Sequence, residues 1–142
     1  MNKNIYEKFS LPYLITKSAR AVVKDYERAM AGMEISPLQG GILFVIAELS
    51  PINQTDIANI LFIDKVTLSK MIFKIEEKKL IQAVNNSDRR SKYWGITDKG
   101  LTLLAKVKEV DSVIETNLKK TLRKSGHNSK DLTDALRFVL AN

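Results

Sequence analysis

Apolar positions recur at helical spacing along nearly the whole chain, with one short exception. A first helix is expected from Leu11 to about Ala31, with Ser10 as its cap, Pro12 in its first turn and Gly32 as its stop. Residues ahead of Ser10 make a short arm or an extra turn. A second helix opens at Ser36-Pro37 and stops before Pro51. It carries Leu38, Ile42, Leu43, Val45, Ile46 and Leu49 on several faces, the mark of a helix at the centre of a core. Asn53 caps a third helix of about two turns, whose apolar face is Ile57, Ile60 and Leu61. Asp64 caps a fourth, with Leu68, Met71, Ile72 and Ile75 at i, i+3, i+4 and i+7. Two short helices joined by a tight turn form a helix-turn-helix unit.

The period then changes. Leu80 to Val84 predicts a short strand and Tyr93 to Ile96 its return, joined by the polar stretch from Asn85 to Lys92. The result is a β-hairpin with a long basic tip, in which Gly95 is a weak spot. Thr97 caps a long helix from Asp98 to about Leu122, ended by Ser125-Gly126. A last helix, about Lys130 to Leu140, carries Leu132, Leu136, Val139 and Leu140. The expected fold is mainly α with a small β-hairpin wing: a winged helix-turn-helix with N- and C-terminal dimerisation helices. The seam Leu103, Val107, Val110, Ile114, Leu118 and Leu122 is too apolar for the surface of a monomer. Leu11, Leu14, Ile15, Val22 and Tyr26 could supply part of its partner surface, and packing wholly within one subunit is the alternative.

Composition sharpens this picture. The 142 residues suit one domain. The longest uninterrupted apolar stretch, Gly40 to Ala47, is far too short to span a bilayer, and the first ten residues hold no secretory-type apolar run. The chain has no cysteine and one histidine, His127, so thiolate chemistry is excluded and no metal or other cofactor is expected. A cytoplasmic location, with no membrane partner, is the expectation. The net charge is +7. Eight basic and three acidic residues lie between Lys65 and Lys92, so most of the excess sits in one fifth of the chain. Such a balance favours a polyanionic partner.

The candidate chemistry lies in that basic stretch. A recognition helix needs one apolar face on the core and one polar or basic face for the major groove. With Leu68 taken as inward, Val66, Ser69, Lys70, Phe73 and Lys74 turn away from the core, and Lys65 stands at the leading end. Lysines can meet phosphates or guanine edges, while Ser69 and Val66 suit base edges or a thymine methyl. An amphipathic surface helix would show the same pattern. At the hairpin tip, Asp88-Arg89-Arg90 sets two guanidiniums beside a carboxylate that can hold one of them in a fixed rotamer. Arginine so placed suits the narrow, electronegative minor groove, though a solvated loop with a weak ion pair reads alike.

Four segments in order resemble the MarR/SlyA family. Asp88-Arg89-Arg90-Ser91-Lys92 followed by Ile96-Thr97-Asp98-Lys99-Gly100 looks like its wing signature. Ile35-Ser36-Pro37-Leu38-Gln39 is similar to the start of its second helix, and Gln54-Thr55-Asp56-Ile57-Ala58 to its third. Asp64 to Leu80 resembles the recognition helix and the segment after it. The resemblance covers about residues 9 to 140. It implies a homodimer whose terminal helices interlock, each subunit offering a winged helix to half of a pseudo-palindromic operator in double-stranded DNA. It divides one domain, 1–142, into dimerisation helices at 1–34 and 101–142 around a DNA-binding lobe at 35–100. Lys65, Val66, Thr67, Ser69, Lys70 and Lys74 would lie in or near the major groove. Arg90 would enter the minor groove, oriented by Asp88, with Arg89 and Lys92 beside it on the wing. Gln54 and Thr55 would touch phosphate. The family also implies a cleft for a small aromatic or anionic effector between lobe and dimer helices. Tyr13, Lys17, Arg20 and Tyr26 stand on the helix that would line it, and packing in the dimer interface is the competing role for the same four.

Lys79 stands where the family has glycine, Phe73 where an acidic residue is common, and Gly95 where a bulkier strand residue is usual. Phe73 and Lys79 motivate the alternative of a winged-helix protein–protein adaptor with weak or no DNA binding. An enzyme is not expected, since no nucleophile–base pair or phosphate-binding glycine loop is present. Repressor and activator dock alike, differing only in where the operator sits relative to the promoter.

Overall fold

The computed structural model of the chain describes residues 3–84 and 90–142. A short 3₁₀ helix, Lys3–Lys8, precedes α1 (Leu11–Ala29), α2 (Pro37–Leu49), β1 (Ile52–Asn53), α3 (Gln54–Leu61) and α4 (Lys65–Glu77). Then follow β2 (Ile81–Val84), β3 (Tyr93–Ile96), α5 (Asp98–Lys124) and α6 (Ser129–Ala141). The expected mainly α fold with a hairpin wing is the observed one.

Caps account for most of the boundaries. Ser36 and Gln39 form a reciprocal box, the Ser36 hydroxyl accepting from the Gln39 amide at 3.2 Å and the Gln39 side chain accepting from the Ser36 amide at 2.9 Å. That box satisfies Gln39, a buried polar residue. Asn53 accepts from the Asp56 amide at 2.8 Å, and the Thr97 hydroxyl accepts from the Gly100 amide at 3.1 Å. Ser10 differs from its expected role: it occupies the cap position of α1 without a side-chain cap bond. α1 also ends at Ala29 rather than near Ala31, with Met30 as its buried C-cap.

The core is built around α2, whose Ile42, Leu43, Val45 and Ile46 are buried against Ile57 of α3 and Leu68, Ile72 and Ile75 of α4 within one cluster. Trp94 and Ile81 close it from the sheet side. The sheet has three antiparallel strands in the order β1-β3-β2, so the expected two-stranded hairpin gains a short third strand. Ile52 pairs with Trp94, while Ala83 also pairs with Trp94 from the other side. β1 is too short to show a period of two, which is why the hydrophobic pattern misses it.

Gly95 is no weak spot. A Cβ there would lie 2.8 Å from Cγ1 of Val84, so close strand packing requires glycine. Gly100 is stricter still, because its Cβ would meet the Leu80 carbonyl oxygen at 2.2 Å. α4 stops in a Schellman arrangement: the Leu80 amide donates to the Ile75 carbonyl at 3.0 Å, with Lys79 left-handed at φ 61°. Phe62 turns α3 into α4 with φ 53°.

The flanks are built differently. α1 and α6 bury no residue, and α5 buries only Gly100, Leu103 and Leu104 near its start. Leu11, Ile15, Leu118, Leu132, Leu136, Val139 and Leu140 are all exposed.

Candidate nucleic-acid interface

Asp64 starts α4 firmly. Its carboxylate accepts from the Thr67 amide at 2.8 Å and from the Thr67 hydroxyl at 2.6 Å. These hydrogen bonds, the side-chain one first, hold its carboxyl below the ordinary range. The fixed start sets the phase of the helix. Leu68, Ile72 and Ile75 face the core, and Lys65, Val66, Ser69, Lys70, Phe73 and Lys74 face solvent. Thr67 is half-buried, its hydroxyl spent on the cap. Three lysines, one hydroxyl and two apolar side chains therefore share the outward surface of one helix.

Gln54 and Thr55 open α3 beside this surface. The Ser69 hydroxyl donates to Oε1 of Gln54 at 3.0 Å, joining the two helices at the point where both expected contact sets meet. Nothing in the local sequence announces this bond, which spans fifteen residues.

On the wing, Arg90 and Lys92 are exposed at the approach to β3. Asp88 and Arg89 lie outside the described residues. Lys92 has two internal neighbours: its Nζ sits 4.8 Å from the centre of the Trp94 ring and 3.7 Å from a carboxylate oxygen of Glu76. It therefore ties the root of the wing to the last turn of α4.

A cavity of about 500 Å³ opens between α1, α2 and α5, lined by residues that include Tyr26, Met30, Leu38, Phe44, Val107 and Lys108. The Tyr26 hydroxyl donates to Asp111, closing one side. Burial first, and Asp111 second, push that hydroxyl well above the usual tyrosine range, so it stays protonated. Lys108 Nζ lies 5.8 Å from the Phe44 ring centre. Of the four residues expected at a cleft, only Tyr26 lines this one. Tyr13 and Lys17 stack on each other at 4.8 Å, and Arg20 meets Glu27 at 3.4 Å. Phe44 and Lys108 escape sequence reasoning because their partner surface comes from a distant helix. A second, open groove of about 700 Å³ runs between α1 and α5, past Val22, Val113 and Leu118.

Among the described residues there is no cluster of three or more potential metal ligands, and no helix is long and apolar enough to cross a membrane. A helix-turn-helix whose outward helix sits beside a short antiparallel wing defines the winged-helix class.

The MarR family model matches residues 35–92. No curated protein sequence matches the chain. Among solved structures, the chain is similar to the transcriptional repressor CouR bound to a 23-mer DNA duplex, at 28% identity over 99% of this chain and 95% of that one, with a TM-score of 0.78. It is also similar to the transcriptional regulator BldR from Sulfolobus solfataricus, at 28% identity over 99% of both chains, with a TM-score of 0.77. The MepR–DNA complex of S. aureus, 23% identical over 94% of this chain and 98% of that one, shares the fold at a TM-score of 0.77. Residues 35–92 are thus similar to the MarR family, and the full chain shares the fold of these transcription regulators. CouR is described as a transcriptional repressor and BldR as a transcriptional regulator.

Proposed function

We propose that the chain is a sequence-specific DNA-binding transcription regulator acting as a cytoplasmic homodimer on a pseudo-palindromic operator. The observation that carries this reading is the outward face of α4, where Lys65, Lys70 and Lys74 surround Val66 and Ser69 beside the wing. Lys65, Val66, Thr67, Ser69, Lys70 and Lys74 enter or flank the major groove. Gln54 and Thr55 meet phosphate at the start of α3. Arg90 enters the minor groove, with Asp88, Arg89 and Lys92 completing the wing. The domain 1–142 divides into a DNA-binding lobe at 35–100 and dimerisation helices at 1–34 and 101–142. The exposed apolar faces of α1, α5 and α6 support the dimer, because so many uncovered leucines are unusual on a monomer. The similar repressor CouR is described bound to DNA, which supports the partner class.

The cavity beside Phe44 and Lys108 supports a small aromatic effector carrying an anionic group, since the ring offers stacking and the lysine charge. Occupancy there would bias the angle between lobe and dimer helices, and so the spacing of the two α4 helices.

Selection of bound sequences from a random DNA pool tests the reading. Two inverted half-sites with centres about 34 Å apart, or a multiple of that, are expected. Enrichment of no sequence would overturn it. Within it, Arg90→Ala should weaken operator binding by about 1–3 kcal/mol. Unchanged affinity in a binding titration would remove the wing from the contact set.

A further inference from the structure

The exposed face of α4 is poor in groups that discriminate bases by hydrogen bonding. α4 contains no arginine, asparagine or glutamine, the side chains that pair two-pronged with guanine or adenine edges. Both of its hydroxyl donors are engaged within the protein, Thr67 to Asp64 at 2.6 Å and Ser69 to Gln54 at 3.0 Å. Its carboxylates, Glu76 and Glu77, stand at the far end of the helix, Glu76 beside Lys92. What remains polar is three lysines, flexible point charges that serve phosphate well and impose little geometry on a base.

The rest of that face is apolar. Val66 is 66% exposed and Phe73 64% exposed. They are the two apolar residues of α4 outside the hydrophobic cluster that takes Leu68, Met71, Ile72 and Ile75. Single exposed apolar residues need no explanation. These two are seven positions apart, which puts them on one line of the helix, interleaved with the lysines. The apolar feature of a base edge in the major groove is the 5-methyl group of thymine.

We propose that α4 selects its half-site chiefly through thymine 5-methyl groups packed against Val66 and Phe73, with the lysines supplying phosphate affinity. The inference rests on the DNA-binding reading above and deepens it by naming the base chemistry that is read. Seven residues of helix span about 10 Å, which is about three base steps. Two methyl-bearing positions at about that separation are therefore expected in each half-site. Gln54 keeps its amide donors free of the Ser69 bond and can add one polar contact beside the methyls.

The test uses the intact protein and the duplex recovered by selection. That duplex is resynthesised with deoxyuridine in place of thymidine, one position at a time, which deletes the methyl and keeps the pairing. Wild-type affinity should fall about fourfold at each contacted methyl. In Val66→Ala, sensitivity should vanish at one of these positions, and in Phe73→Ala at the other. Both side chains are exposed, so the melting temperature serves as the control for folding. Full affinity for a duplex with every half-site thymine replaced would overturn the inference and leave DNA binding standing. So would sensitivity to 7-deazaguanine in place of guanine with none to uracil, or uracil sensitivity that persists in both variants. Failure to select any sequence would overturn the regulator reading, and this inference with it.

Discussion

In the lobe between α2 and β3, Ile42, Leu43, Ile46, Ile57, Leu68, Ile75 and Leu80 have no exposed surface, whereas α1 and α6 bury no residue at all. Leucines and isoleucines occur in both regions, yet α1 and α6 leave theirs uncovered. The lobe's helices and strands gather their apolar side chains into one cluster with α2. In the flanks, α1 and α6 each pack along α5, and each covers only one stripe of its neighbour. A core is thus complete within the lobe, and an apolar face is left uncovered on the flanks. Under the proposed reading, the lobe presents the lysine-bearing face of α4, and the flanks would set where a second copy of it stands.

That contrast can be broken by mutation. The largest effect belongs to the lobe: Leu68→Ala should cost about 2–5 kcal/mol of unfolding free energy, measured by urea denaturation. A loss below 1 kcal/mol would mean that the lobe core is looser than its burial implies. In the flanks, Leu136→Lys should leave the lobe folded but weaken self-association by roughly 1.5–3 kcal/mol. Sedimentation should then show monomer at concentrations where the wild type is dimeric. A variant that associates as the wild type does would take α6 out of the interface.

Smaller effects sharpen the picture of the lobe's joints. Lys79 holds a left-handed backbone that glycine adopts freely, and its side chain is exposed. Lys79→Gly should therefore raise stability by about 1 kcal/mol. A decrease in the urea midpoint would mean that the lysine has a compensating contact. The smallest effect is a pH dependence at the start of α4. The folded carboxyl of Asp64 titrates below its ordinary value of 3.8. Its contribution is complete above that value and is lost as the pH falls through the lowered one. Comparison of thermal melts with Asp64→Asn should show the wild-type advantage shrinking in that acid window and constant above it. A constant difference throughout would assign the whole effect to something other than the ionised cap.

Much of the lobe was legible in the chain itself. Asn53, Asp64 and Thr97 each cap the helix that their position foretold, because a cap is a contact within four residues. The strands at β2 and β3 were foretold within one residue, since the hydrophobic period changes there and polar residues separate them. Other features needed the assembled fold. β1 is too short for a pattern and exists because β3 has a free edge beside it. Gly95 suggests weakness in a strand taken alone, but the Val84 side chain, diagonal to it on β2, leaves no room there for a Cβ. Lys92 belonged by sequence to the wing's basic set, and packing brings it between Trp94 and Glu76.

The same division runs through the candidate interface. The sequence alone determined which face of α4 turns outward, because helical periodicity and a cap beside it fix the phase of a short helix. It also determined that this face is basic and adjoins a hairpin. The tertiary structure decided which of those side chains remain available. Ser69 is committed to Gln54 and Thr67 to Asp64, while Val66 and Phe73 stay uncovered. It also decided that the effector-sized cavity gathers Tyr26, Phe44 and Lys108 rather than the row along α1. The physical reason is range. Periodicity and capping act within one or two turns, whereas a shared hydrogen bond or a cavity wall depends on which distant elements the core brings side by side.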